Sequence, residues 1–183
     1  MGRNEKSISE SYQFREYILT MIFVTVGTHE QQFNRLVEYM DEYAETTDEE
    51  IIIQTGFCTY EPKHCKWQKL FPYREMAELV EKARIVITHG GPSSFIAPLQ
   101  IGKVPIVVPR KEEFGEHVNN HQVNFCRQVS ERQHNILNVE SIEELSQCIN
   151  KYDEMVKKLS CNLESNNNIF CKQLQKMAES MFL

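Results

Sequence analysis

Apolar residues change their spacing repeatedly along this chain, and the changes mark out alternating strands and helices. Ile22, Phe23, Val24 and Val26 form a β-branched run that predicts a buried strand over 22–26. Phe33, Leu36, Val37 and Met40 then recur at helical spacing, which predicts a helix over 31–45. An isoleucine-rich strand is expected over 50–54, a weaker one over 67–71, and a helix over 73–82 with Met76, Leu79 and Val80 inward. The alternation continues with a strand over 83–88, a helix over 92–101 closed by Gly102, and a strand over 104–108. A charged loop at 110–116 precedes a helix expected from about 118 to 128 and a short strand near 135–137. Ser141 and Glu144 have the spacing of a capping box opening an amphipathic helix through Ile142, Leu145, Ile149 and Tyr152. Asn166, Asn167 and Asn168 mark a break, and Ile169, Phe170, Leu174, Met177 and Met181 suggest a last helix.

Residues 1–20 are polar and weakly patterned. They read as a peripheral extension or an upstream start, with a short amphipathic helix around Tyr12, Tyr17 and Ile18 as one option. The folded domain is therefore expected over 21–183, with C-terminal helices from about 141. Strands made mostly of β-branched residues and separated by helices predict an α/β fold, a doubly wound parallel sheet with helices on both faces. In such sheets ligands bind beyond the carboxyl ends of the strands. Three loops leave those ends here, at 27–29, 88–94 and 109–122.

Composition narrows the class. The chain has 183 residues, 41% of them hydrophobic and 25% charged, which suits one soluble domain. Its net charge of −6 gives no reason to expect nucleic acid as a partner. Six cysteines (Cys58, Cys65, Cys126, Cys148, Cys161 and Cys171) show no C-x-x-C spacing, so free thiols in a reducing cytoplasm are expected. The longest apolar-leaning stretch, 17–26, is about half what a membrane helix needs. No transmembrane segment is expected.

The densest candidate chemistry is Thr88-His89-Gly90-Gly91-Pro92-Ser93-Ser94, directly after a strand. Glycines let a ligand approach the backbone, Pro92 suits a first helical turn, and the opening N–H groups of a helix attract anions. Ser93 and Ser94 add hydroxyl donors. The segment reads as a diphosphate cradle, or as a plain strand-to-helix turn of the same composition. The first strand ends in Gly27-Thr28-His29, with one glycine where a dinucleotide fingerprint needs three, and no P-loop occurs, so NAD and ATP are poor candidates. Thr28 could reach phosphate beside Gly27. An imidazole at His29 could serve as general base near neutral pH, or could order the loop by hydrogen bonding. Arg110, Lys111 and His117 lie among Glu112, Glu113 and Glu116, either as a solvated loop or as a mobile one bringing Arg110 to a leaving group. The aromatic and basic stretch 57–67 (Phe57, Tyr60, Lys63, His64, Lys66, Trp67) reads as a partner or acceptor surface, or as a surface loop with core aromatics.

In combination, Val24-Thr25-Val26-Gly27-Thr28-His29-Glu30-Gln31-Gln32-Phe33, His89-Gly90-Gly91-Pro92-Ser93-Ser94 and Gly115-Glu116-His117-Val118-Asn119-Asn120-His121-Gln122 resemble the small glycosyltransferases built from one GT-B lobe, the glycosyltransferase family 28 C-terminal domain type. The chain is similar to the catalytic subunits of bacterial exopolysaccharide and capsule β-1,4-galactosyl- or glucosyltransferases. It is also similar to the soluble subunit of the eukaryotic dolichol-linked N-acetylglucosamine transferase. The resemblance covers about 21–149. It implies a UDP-sugar donor, a lipid-linked saccharide acceptor, and a membrane-anchored partner subunit supplying the other lobe and holding this chain at the inner face of the membrane. It places the donor diphosphate on Gly90, Gly91, Ser93 and Ser94, and the donor sugar hydroxyls on Asn120, His121 and Gln122, whose amides both donate and accept. By the same analogy His89 steadies the loop or contacts phosphate.

One position departs from the pattern. Larger relatives carry a Glu about six residues after the second glycine to hold the ribose, where this chain has Ala97, which leaves Glu112, Glu113 or Glu116 for that task. With no Asp-x-Asp motif for Mn²⁺, transfer independent of metal and of any cofactor beyond the UDP-sugar is expected. A non-catalytic nucleotide-sugar-binding or regulatory subunit is the alternative from a different class, and a small doubly wound protein of unrelated activity is a weaker third.

Overall fold

The computed structural model of the chain describes residues 20–159 and Gln175. Six strands form one sheet in the order β3-β2-β1-β4-β5-β6, and every neighbouring pair is parallel. They are β1 (Met21–Thr25), β2 (Glu50–Gln54), β3 (Lys66–Gln68), β4 (Ile85–His89), β5 (Ile106–Val108) and β6 (Leu137–Asn138). The helices are α1 (Asn34–Ala44), α2 (Tyr73–Lys82), α3 (Pro92–Gln100), α4 (His121–Gln133), α5 (Leu145–Asn150) and α6 (Tyr152–Lys158).

The two-residue period of the strands sends alternate side chains to two layers. Ile22 and Val24, Ile85 and Ile87, and Ile106 and Val108 face one side, against Leu36, Val37 and Met40 of α1 and Leu145, Cys148, Ile149 and Tyr152 of α5 and α6. The residues between them face the other way. Phe23 and Val86 meet Val80 of α2, while Val107 meets Phe95 of α3 and Cys126 of α4. A one-residue slip of any strand would exchange these two sets, so burial on both faces pins the register. This is the doubly wound parallel sheet that the alternation predicts. Its connections run outward in both directions from the β1/β4 pair, which makes the carboxyl ends of those two strands the switch point.

Several boundaries differ from the sequence expectation, each for a local reason. Helix α1 begins at Asn34 because Gln32 Oε1 accepts the Asn34 N–H at 2.6 Å and Phe33, at φ −137° and ψ 48°, lies outside the helical region. The capping box at Ser141 and Glu144 does not form: Ser141 Oγ donates to the Glu143 carboxylate, and a 3₁₀ turn at Ile142–Glu144 leads into two short helices instead of one. Helix α4 begins at His121 and extends to Gln133, where His134 ends it in the left-handed region at φ 50°. The expected N-terminal extension and the last helix fall outside the described residues, Gln175 excepted. Among the described residues Cys58, Cys65, Cys126 and Cys148 are free thiols, and no helix is long and apolar enough to cross a membrane.

The 57–67 stretch is organised by Asp41 of α1. Its buried carboxylate accepts the backbone N–H groups of Lys63, His64 and Cys65 and the Tyr60 hydroxyl at 2.7–3.1 Å. Burial alone would raise the pKa of this carboxyl, yet those bonds hold it below the ordinary value.

Candidate functional site

A cleft of about 520 Å³ opens at the switch point, lined by Gly27, Thr28 and His29 after β1 and by His89, Ser93 and Ser94 after β4. Gln54, Leu70, Phe71, Tyr73 and Met76 form its opposite wall. The sequence reading missed those residues, since nothing in their local pattern ties them to the glycine-rich loops. Gly27 takes φ +75°, a conformation open to glycine, which turns the chain sharply out of β1. Helix α3 starts with Pro92 at its first position and has no side-chain cap, and Gly91 O already accepts the Ser94 N–H. Ser93 is exposed and Ser94 half-buried at this helix start, so hydroxyls and an uncapped helix N-terminus meet at one end of the cleft.

The glycines have a structural task that the sequence reading did not foresee. A Cβ on Gly27 would lie 2.3 Å from His89 Cε1, and one on Gly91 would lie 2.4 Å from His89 Nε2. The imidazole of His89 is therefore held between two bare backbones. A Cβ on Gly90 would meet Cys126 Sγ at 2.8 Å and Gln122 Cβ at 3.0 Å, so this glycine serves helix packing. Close approach is real here, and the group approached is the protein's own ring.

Burial, followed by the nearby Arg110 charge, pushes the His89 pKa down to about 4, so the ring is neutral at neutral pH. Its Nδ1 is buried with no hydrogen-bond partner. Because the folded state refuses this proton, the stabilisation is complete above the ordinary value of 6.5 and is lost as pH falls toward about 4. The interval corresponds to roughly 3 kcal/mol. Urea unfolding of the wild type and His89→Asn at neutral pH and near pH 4.5 checks this. The wild type is expected to lose roughly 2–3 kcal/mol more than the variant, and equal losses would refute the assignment.

His29 is partly buried, and its Nδ1 accepts the backbone N–H of Gln31 at 3.1 Å. A nitrogen that accepts carries no proton, so the neutral ring holds its proton on Nε2. The ring of His117 lies 5.1 Å from it, centroid to centroid. Burial first, then Arg110 and His117, lower the His29 pKa against the opposing pull of Glu30. The loop-ordering role foreseen for His29 is present in this hydrogen bond. Base chemistry at Nε2 would require the ring to release Gln31.

The 110–117 loop differs most from expectation. Arg110 is fully buried and does not line the cleft; its Nη2 donates to Val26 O at 2.8 Å, and its Nη1 to Gln31 O, Gln32 O and Glu116 O at 2.8–3.1 Å. Glu116 is fully buried as well, in a two-pronged pair with Arg35 at 2.9 Å, and also accepts the Lys111 N–H. The Arg35 guanidinium sits over the Phe33 and Phe114 rings, 5.3 and 5.0 Å from their centroids. Gln31 and Gln32 side chains add bonds to Gly115 O and Phe114 O. These contacts strap the loop to the start of α1. They leave neither Arg110 for a leaving group nor Glu116 for a ribose.

The Asn120-His121-Gln122 group is split between tasks. Gln122 is buried and its Oε1 accepts both the Gly90 and Arg110 N–H groups, at 3.1 and 3.2 Å, joining the β4 and β5 loops. Asn120 is exposed and accepts the Glu112 N–H, while the exposed His121 ring stacks on Phe125. Neither lines the cleft. Ala97, Glu112 and Glu113 are exposed outside it.

Residues 21–181 match the model of the glycosyltransferase family 28 C-terminal domain. Among solved structures, the fold is similar to that in a crystal structure of the glycotransferase of kitacinnamycin, with a TM-score of 0.59 and 15% identity over 86% of this chain and 42% of that one. The glycosyltransferase SnogD from Streptomyces nogalater aligns at 14% identity over 93% of this chain and 48% of its own, with a TM-score of 0.47. This chain thus spans less than half the length of either structure. Nothing among curated proteins matches it.

Proposed function

This chain belongs to the glycosyltransferase family 28 C-terminal domains, and we propose that it is the donor-binding catalytic subunit of a UDP-sugar-dependent hexosyltransferase. In this reading galactose, glucose or N-acetylglucosamine passes to a lipid-linked saccharide in exopolysaccharide or capsule biosynthesis. The observation that carries it is the cleft where Gly27–His29 meets His89, Ser93 and Ser94 at the switch point. The donor diphosphate lies at the start of α3, where Gly90, Gly91 and the Pro92 turn set the backbone and Ser93, Ser94 and Thr28 donate. The α3 dipole stabilises the negative charge of the departing UDP, and transfer proceeds without a metal ion or other cofactor. Asn120 and His121 reach the donor sugar only if the loop before α4 turns inward on binding. His29 is the catalytic side chain.

In the same reading the acceptor site falls to a membrane-anchored partner subunit that carries the other lobe. That partner holds this chain at the cytoplasmic face of the membrane.

Thermal unfolding against a panel of UDP- and GDP-sugars tests the donor assignment. UDP-sugars are expected to raise Tm, by an amount equivalent to about 2.7 kcal/mol at a hundredfold excess over Kd, and GDP-sugars are not. Stabilisation by GDP-sugars alone, or by neither, would overturn it. Transfer to a lipid-linked acceptor is expected only when the partner is added. Robust transfer by the isolated chain would remove the two-subunit reading, and binding without transfer in the complex would favour a regulatory subunit.

A further inference from the structure

We propose that Arg110 is a positioning residue for His29: it clamps the loop on both flanks of the imidazole and, through Gln31, fixes the ring as a hydrogen-bond donor toward the cleft. One guanidinium reaches both sides of the loop. Nη2 binds Val26 O, three residues before His29, and Nη1 binds Gln31 O and Gln32 O, two and three residues after it. The peptide N–H of Gln31 then holds His29 Nδ1 at 3.1 Å. The path from guanidinium to imidazole thus runs through a single residue, Gln31, whose carbonyl and N–H are both taken.

The electrostatics support this use of an arginine. Arg110 is fully buried, the Phe33 ring lies 4.9 Å from its Cζ, and its side-chain bonds all end on backbone carbonyls. The carboxylate of Glu116, whose backbone carbonyl Arg110 also binds, spends its oxygens on Arg35 and the Lys111 N–H. Burying a guanidinium without a bonded carboxylate is costly, and a neutral donor could tie one carbonyl. A planar fork that ties four carbonyls from two loops is what arginine adds and lysine lacks. With Nδ1 accepting, Nε2–H is left as the donor of a ring that lines the cleft. It can meet negative charge on a phosphate or a reacting oxygen there.

The catalytic meaning of this placement rests on the transferase reading; its spectroscopic signs do not. In ¹⁵N NMR of the unmodified chain at mildly alkaline pH, His29 is expected as the Nε2–H form. A coupling across the hydrogen bond should join the Gln31 amide to Nδ1, and the Arg110 Nη protons should appear as separate, slowly rotating signals. A proton on Nδ1, or freely averaging Arg110 signals, overturns the proposal whatever any variant does. Arg110→Lys keeps the charge and loses the fork. It is expected to mix the two His29 forms and to lower turnover in the partner-reconstituted assay by roughly 10- to 100-fold, with UDP affinity changed less than about threefold. In a His29→Ala background the same substitution should have almost no further effect on turnover, because the two act as one unit. An equal loss in both backgrounds would show that Arg110 acts independently of His29 and would end the proposal. The expected spectra together with no transfer in any reconstituted assay would instead remove the transferase reading and leave the positioning intact.

Discussion

Gly91→Val is expected to weaken UDP binding by roughly 100-fold, close to 3 kcal/mol, while the chain stays folded. The first β-carbon alone would stand 2.4 Å from His89 Nε2 and 3.0 Å from Cδ2. The ring cannot retreat, because the Gly27 backbone lies on its other side, near enough that a Cβ there would reach Cε1 at 2.3 Å. Valine must therefore spread the β1 and β4 loops apart, the two segments that form the proposed diphosphate site. Gly91 has an ordinary φ of −77°, so no backbone strain is added and the effect comes from contact alone. Overpacking of this kind costs about 1–3 kcal/mol of stability, which a domain of ordinary stability survives.

Gly102→Ala supplies the control. It sits at φ +77° with no atom within 4 Å of a built Cβ, so it is strained but remote from the cleft. It should lower Tm slightly and bind UDP normally. Calorimetry showing parental UDP affinity in Gly91→Val would place the nucleotide elsewhere.

The fold was legible because each strand carries its own signal. Ile22–Val26 and Ile85–Ile87 are apolar on both faces, as parallel strands covered by helices must be. Helix edges were less legible where a side chain competed with the helix, as Gln32 does at α1 and Glu143 does at the failed capping box. At the site, the glycine-rich segments stood out in sequence, while the ring packed against them did not. The contact of Gly27 with His89 joins residues on different strands, and no local pattern announces it.

The charged loop shows the same limit more sharply. Arg110 to Glu116 reads as solvated because five of its seven residues are charged, yet Arg110 and Glu116 are fully buried. Their partners, Arg35 and the carbonyls of Val26 and Gln31, lie about 80 residues earlier. Period and composition report which residues share a face of one element. They carry no information on charge pairs made between loops that only the sheet brings together.

His29→Ala is expected to lower turnover by roughly 10²–10⁴-fold while changing donor affinity by less than about threefold, the pattern of a group that acts in the transition state. The ring lines the cleft beside Thr28, and its loss removes nothing that holds the α3 end of the site. Its companion variant and the pH profile separate donor from base. Gln offers an N–H and cannot accept a proton near neutral pH, so His29→Gln should recover at least about tenfold over Ala if Nε2–H is the working group. The pH profile gives an independent sign. Burial, Arg110 and His117 place the His29 pKa below the ordinary histidine value, so the ring is neutral at pH 7 and above. A base would lose activity as pH falls through that lowered value, because the imidazolium has no lone pair to offer. A donor keeps its Nε2–H in both forms, and the rate should hold while the fold does, which confines the measurement to pH above the His89 transition near 4. A tenfold fall per pH unit that His29→Gln abolishes would restore the base assignment. An Ala variant that turns over like the parent would reduce His29 to a side chain that orders the Gln31 backbone.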